Sequence, residues 1–101
     1  MTQKISILGS TGSIGVSTLD IVRQHPDKFQ VVALAAGRNI ELLKEQVLEF
    51  KPQVVSVQSE QDQQAISKQL PKDVEIFFGE PGAIQVAKAE TAEVVVSAIV
   101  G

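Results

Sequence analysis

The 101-residue chain has no cysteine, which excludes disulfides and thiolate metal sites and fits a reducing compartment. It has no run of about 18 apolar residues, the length a membrane-spanning helix needs. Its first residues, Met1-Thr2-Gln3-Lys4, lead into a strand pattern without the apolar stretch of a signal peptide. Positive charge is not in excess: the formal net charge is -3, which argues against a nucleic-acid partner, since that would need a basic face. The one histidine, His25, precedes Pro26 and is expected at the surface, by the negative end of a helix. No pair of carboxylates is spaced for acid–base chemistry. No His-Asp-Glu grouping has metal-ligand spacing, and no serine is paired with a base. What remains, 44% hydrophobic, is one small domain with a single core, equipped to hold a ligand rather than to react one.

Strand and helix patterns alternate along the chain, the signature of βαβ units around a parallel sheet. Strands are predicted over residues 4–8, 30–36, 53–57, 74–78 and 94–100. A first helix over 13–24, stopped by Pro26, turns Ile14, Gly15, Thr18, Leu19 and Val22 inward. The run 30–36 is almost unbroken in apolar residues, as in a strand covered on both faces. Asn39 is placed to cap a second helix, which carries Ile40, Leu43, Val47 and Phe50 on one stripe and closes at Pro52. Ser59-Glu60-Gln61-Asp62 resembles a capping box for a polar third helix reaching Leu70. Pro81 suits the first turn of a fourth. The expected fold class is α/β: a Rossmann-like doubly wound parallel sheet, β-α-β-α-β-α-β-α-β, in strand order 3-2-1-4-5. The last run, Val94-Val95-Val96-Ser97-Ala98-Ile99-Val100-Gly101, reads as a buried strand where a terminus ordinarily frays in polar residues. Residues 1–101 are therefore expected to be the first, incomplete part of a longer protein.

Gly9-Ser10-Thr11-Gly12-Ser13-Ile14-Gly15 joins the first strand to the first helix. Strand, glycine turn and helix start together make a phosphate site. Glycine permits φ > 0 and close backbone approach, and the helix start offers unpaired N–H groups and partial positive charge. The usual dinucleotide fingerprint is G-x-G-x-x-G. Gly12 and Gly15 match its last two glycines, Ser10 stands at the first, and Gly9 supplies the freedom one residue earlier. A side chain at Gly12 is expected to obstruct a pyrophosphate and to strain a positive-φ backbone, while Gly15 lets the helix sit close to the sheet. Thr11 and Ser13 suit a helix cap, a ligand contact or both.

The end of the second strand sets the nucleotide. An Asp or Glu there would accept from the ribose 2′-OH of NAD; this chain has Ala36-Gly37-Arg38-Asn39 and no acid before Glu41. Arg38 offers a planar, permanently charged fork to a 2′-phosphate. Asn39 and the backbone N–H groups of the turn add donors, so NADPH is favoured over NADH. The plainer alternatives are a purely structural strand-to-helix turn and a solvated Arg38. Its place at the carboxyl end of a strand, where open α/β sheets bind ligands, favours the functional reading.

Ile7-Leu8-Gly9-Ser10-Thr11-Gly12-Ser13-Ile14-Gly15 followed by Ser17-Thr18-Leu19-Asp20-Ile21-Val22 resembles the start of 1-deoxy-D-xylulose-5-phosphate reductoisomerases. So do Phe29-Gln30-Val31-Val32-Ala33-Leu34-Ala35-Ala36-Gly37-Arg38-Asn39 and the closing Ala98-Ile99-Val100-Gly101. Pro26, Phe50 and Pro52 also fall where that family has them. The resemblance covers the whole chain, most specifically up to Asn39 and more loosely from Val57 to Glu93. It implies an NADPH-dependent oxidoreductase of non-mevalonate isoprenoid biosynthesis. Such an enzyme rearranges 1-deoxy-D-xylulose 5-phosphate and reduces the intermediate to 2-C-methyl-D-erythritol 4-phosphate, with a divalent metal (Mg, Mn or Co) on the substrate's oxygens. It implies that Thr11, Gly12, Ser13 and Ile14 contact the dinucleotide and that Gly37, Arg38 and Asn39 receive its 2′-phosphate end. Lys or Ser-like residues often stand in the family where this chain has Arg38.

The family's metal-binding acids, substrate-phosphate residues, mobile loop and C-terminal helical domain match nothing in this chain, which is expected to be inactive alone. The full-length protein is expected to take a small phosphorylated sugar, to be a homodimer of the bacterial cytoplasm or plastid stroma, and to have no nucleic-acid or membrane partner. Two other classes would share the glycine turn. Another NADP-dependent reductase, such as a semialdehyde dehydrogenase, would carry an active-site cysteine; a non-catalytic nucleotide-sensing module would bind NADPH without turnover.

Overall fold

In the computed structural model, residues 2–79, 86 and 93–97 are described. Five parallel strands, β1 (Gln3–Leu8), β2 (Phe29–Ala35), β3 (Val54–Val57), β4 (Glu75–Phe78) and β5 (Val94–Ser97), form one sheet. Helices α1 (Ser13–Gln24), α2 (Ile40–Phe50) and α3 (Glu60–Ser67) fall between the first four strands. The expected fourth helix at Pro81 and the strand residues 98–100 lie outside the described residues.

The strand order is β4-β3-β2-β1-β5, not the expected 3-2-1-4-5. The chain steps outward from β1 through β4, and β5 alone lies on the other side of β1. The physical reason is local. α3 packs on both β3 and β4, making a short crossover to the adjacent position, which consecutive strands usually take. β4 also has an edge strand's burial: Glu75 and Phe78 are exposed, and Ile76 and Phe77 are only partly covered. The reversal of strand order now falls between β1 and β5, so the glycine turn still leaves β1 at the switch point.

The sheet is doubly wound. On one side Leu19 and Val22 of α1, Leu43 and Val47 of α2 and Ile66 of α3 pack with Ile5, Ile7, Val31, Leu34 and Val55. A second cluster joins Val32, Ala33 and Ala35 to Val86. β2 supplies both clusters, which is why its sequence is apolar without alternation. A register shift between Ile5 and Ser6, paired with Val31 and Ala33, leaves Val32 as the extra residue. Each fully buried Leu or Ile stabilises the fold by roughly 1.5–3 kcal/mol.

Helix boundaries follow side-chain chemistry. Asn39 caps α2, its side-chain oxygen accepting from the Leu42 N–H at 3.1 Å. Ser59 caps α3 by accepting from the Asp62 N–H at 3.2 Å. α3 is shorter than expected, ending at Ser67, although Leu70 still reaches the core. On α1, Gly15, Leu19 and Val22 are buried as expected, whereas Ile14 is 50% exposed.

Arg23 ties α1 to α2. Its guanidinium pairs with Glu49 through Nε and Nη2, donates to Asp20 at 2.9 Å, and lies over the Phe50 ring. The hydrogen bonds from Arg23 hold the Glu49 carboxyl below the usual carboxylate range. A carboxylate with a lowered folded-state pKa stabilises above its unfolded pKa and loses that contribution as pH falls through the folded value. Glu49→Gln should therefore be slightly less stable than wild type at neutral pH, and the difference should vanish in acid. Urea melts from about pH 7 to about pH 2, spanning the ordinary Glu pKa of ~4.3, check this. A gap that persists in acid would assign the loss to packing.

Candidate functional site

The site is built on the turn leaving β1. Gly9 and Ser10 both donate their N–H groups to the Ala35 carbonyl at the end of β2, at 2.8 and 2.9 Å. Gly9 has φ 85°, a conformation that favours glycine. Its carbonyl accepts from the Gly12 N–H at 3.1 Å. Gly12, the N-cap of α1, has φ -79° and ψ 173°. The expected positive φ thus belongs to Gly9 and not to Gly12. A Cβ on Gly12 would meet only the Gly9 carbonyl, at 3.5 Å, so nothing in the fold requires glycine there.

Gly15 is different. A Cβ there would lie 2.2 Å from the Gly9 carbonyl oxygen and 2.7 Å from the Ser10 Cα. The first turn of α1 thus rests directly on the loop backbone.

The start of α1 is bare. No side chain caps it and no acid lies in its first turn. Helical bonding from outside begins with the Val16 N–H to the Gly12 carbonyl. Among the described residues the N–H groups of Ser13, Ile14 and Gly15 therefore have no acceptor, and they carry the positive end of the helix dipole. Asn39 and Ser59 cap the next two helices, which sets this end apart. It has the donors and the charge to bind a phosphate oxygen.

Neither Thr11 nor Ser13 caps α1. The Thr11 hydroxyl instead accepts from the Gly37 N–H at 2.9 Å, joining the β1–α1 turn to the β2–α2 turn. A Cβ on Gly37 would come within 3.3 Å of that hydroxyl, so the absence of a side chain there allows the approach. This bond occupies one of the backbone donors expected to face a 2′-phosphate. Arg38 and Asn39 are exposed in the same turn. The Asn39 carbonyl oxygen is taken up by the α2 cap, leaving its amide N–H groups to donate. The structure thus brings Thr11, Gly12, Ser13 and Ile14 together with Gly37, Arg38 and Asn39 at the carboxyl end of the sheet. His25, at the C-cap of α1, is exposed.

Gln46 was not among the residues expected here. It lies on the inner face of α2 between Leu43 and Val47, 5% exposed, and its Nε2 donates to the Ser10 carbonyl at 2.8 Å. Its signal in the sequence is a polar residue three positions after Leu43, on the apolar stripe.

The sequence profile of the 1-deoxy-D-xylulose 5-phosphate reductoisomerase family matches residues 5–101. Among curated relatives, the reductoisomerase of Geotalea uraniireducens is 57% identical over 100 residues, covering 98% of this chain and 26% of the relative. That of Chlorobium limicola is 57% identical over 98 residues, covering 96% and 26%. Among solved structures, the Zymomonas mobilis reductoisomerase in complex with NADPH superposes with a TM-score of 0.91 at 28% identity, covering 100% of this chain and 27% of that one. A DOX-P reductoisomerase in complex with NADPH, fosmidomycin and magnesium gives 0.87 at 38% identity, covering 98% and 25%. The chain spans about a quarter of the length of the curated relatives it matches. With the profile matched over nearly all of its length, this chain belongs to the 1-deoxy-D-xylulose 5-phosphate reductoisomerase family.

Proposed function

We propose that the chain is the NADPH-holding first quarter of an enzyme that converts 1-deoxy-D-xylulose 5-phosphate to 2-C-methyl-D-erythritol 4-phosphate. The observation that carries this reading is the bare, acid-free start of α1, joined by Thr11 to the turn bearing Arg38 and Asn39. In this reading the N–H groups of Ser13 and Ile14 hold the pyrophosphate, and the exposed face of Ile14 covers the dinucleotide. Arg38 and the Asn39 amide hold the 2′-phosphate, and no acid stands in that turn before Glu41. NADPH, when bound, supplies the hydride.

Among the described residues no three His, Cys, Asp or Glu side chains converge, so Mg, Mn or Co finds no ligand set among them. Metal, phosphorylated sugar and homodimer contacts belong, in this proposal, to the part of the enzyme that this chain does not cover. A DOX-P reductoisomerase solved with NADPH, fosmidomycin and magnesium shows that one protein of the family holds all three together. A bacterial cytoplasmic or plastid-stromal setting goes with the same reading. Among the described residues no helix is long and apolar enough to cross a membrane. Family membership speaks against the semialdehyde dehydrogenase and sensor alternatives.

Titration of NADPH and NADH into wild type and Arg38→Ala tests the reading. Wild type is expected to prefer NADPH. Arg38→Ala should lose about 1.5–3 kcal/mol of NADPH binding, the usual worth of a hydrogen bond to a charged group, with NADH affinity unchanged. Equal NADPH affinity in the two proteins would refute the role given to Arg38.

A further inference from the structure

We propose that Gln46 is a positioning residue for the cofactor, aiming the pyrophosphate-binding turn through its bond to the Ser10 carbonyl. The inference rests on the NADPH reading above and adds a residue that touches no ligand.

Gln46 is an uneconomical choice for packing. It is 5% exposed on a helix face shared with Leu43 and Val47, and its Oε1 is buried without a partner among the described residues. An apolar side chain of the same shape would remove the stranded Oε1, at the cost of the donor that the Ser10 carbonyl now has. What the amide adds is the 2.8 Å bond from Nε2 to the Ser10 carbonyl, across 36 residues of sequence.

That carbonyl sits at a sensitive place. The Ser10 N–H is held by Ala35 of β2, and the Ser10 carbonyl by Gln46 of α2. The residue is thus pinned on both sides. The Ser10 carbonyl and the Thr11 N–H belong to one trans peptide plane and point in opposite directions. Drawing the carbonyl inward toward α2 therefore turns the Thr11 N–H away from α2. In this proposal it joins the N–H groups of Ser13 and Ile14 as a donor to the pyrophosphate. Helix α2 is also capped by Asn39, immediately after Arg38. One helix thus carries the 2′-phosphate turn at its start and fixes the pyrophosphate turn from its second turn.

The test titrates the full 101-residue chain with NADPH, which needs both turns, and with adenosine 2′-monophosphate, which needs only the Gly37–Asn39 turn. Gln46→Met and Gln46→Leu both delete the donor but differ in shape. Each should weaken NADPH about tenfold, the worth of about one hydrogen bond, and leave the monophosphate within about twofold. A merely structural role would not produce that split. Unchanged NADPH affinity in both variants, or an equal loss of both ligands, would overturn the proposal while leaving the cofactor reading standing. A folded wild type that binds neither ligand would overturn the cofactor reading and this proposal with it.

Discussion

Gly15→Ala is expected to destabilise the fold by about 2 kcal/mol or more, although alanine is the better helix former. Two effects oppose each other, and their sizes decide the sign. Replacing a helical glycine by alanine gains up to about 1 kcal/mol of propensity. Against this, the new methyl would sit 2.2 Å from the Gly9 carbonyl oxygen and under 3 Å from the Ser10 Cα and carbonyl carbon. These are backbone atoms, held in turn by Ala35 and Gln46, and no rotamer change relieves the contact. Overpacking of this kind costs typically 1–3 kcal/mol and sometimes more; with backbone on the far side the upper end applies. The loss is large beside a typical domain stability of roughly 5–15 kcal/mol. NADPH affinity should fall as well, because relief requires α1 to lift off the turn that its N–H groups complete. Urea denaturation of both proteins measures the first effect. A variant as stable as wild type would mean that α1 can slide and that the close packing is not needed.

The parts of this molecule legible in its sequence are those whose cause is local. α1 spans Ser13–Gln24 as expected because a glycine turn starts it and Pro26 stops it. Asn39 and Ser59 cap their helices as expected, since a cap acts over three residues. The strand order was not legible. Whether the strand at Glu75–Phe78 extends the sheet beyond β3 or crosses to β1 depends on how α3 packs and how much of the strand is covered. The strand's own apolar pattern is compatible with both. The two bonds that assemble the site are equally hidden: Thr11 to Gly37 spans 26 residues and Gln46 to Ser10 spans 36. Hydroxyl and amide side chains announce no partner at such separations. Ile14 shows a subtler miss. Its spacing from the apolar positions of α1 suggested the core, but the buried face is centred on Gly15, Leu19 and Val22. That phase leaves Ile14 half exposed at the helix start proposed to receive the cofactor. Which glycine adopts the positive φ was also beyond the sequence, because Gly9 and Gly12 are chemically identical and only the path of the turn separates them.

That separation sets up the opposite expectation at Gly12, where binding should be lost and the fold kept. Gly12→Val places a β-branched residue at φ -79° and ψ 173°, an extended conformation that valine adopts readily. Its Cβ would meet the Gly9 carbonyl at 3.5 Å, an ordinary contact. Replacing glycine where the backbone suits the new residue also removes unfolded-state freedom, a gain of about 0.4–1 kcal/mol in favourable cases. Stability should therefore stay within about 1 kcal/mol of wild type. The ligand has no such latitude. Gly12 is the cap of a helix start whose first N–H groups have no acceptor among the described residues, and the middle glycine of a dinucleotide turn is where the backbone comes closest to the pyrophosphate. Branched methyl groups there would hold the phosphates away from the N–H groups of Ser13 and Ile14. Losing two charge-assisted hydrogen bonds, at about 1.5–3 kcal/mol each, weakens NADPH on the order of 100-fold or more. Adenosine 2′-monophosphate, seated on Gly37–Asn39, should be nearly unaffected. The measurement is a pair of titrations beside a urea melt. Normal NADPH affinity in a stably folded Gly12→Val protein would show that the turn serves only the fold. A large loss of stability would show that strain at this residue, rather than access for a phosphate, is what requires glycine.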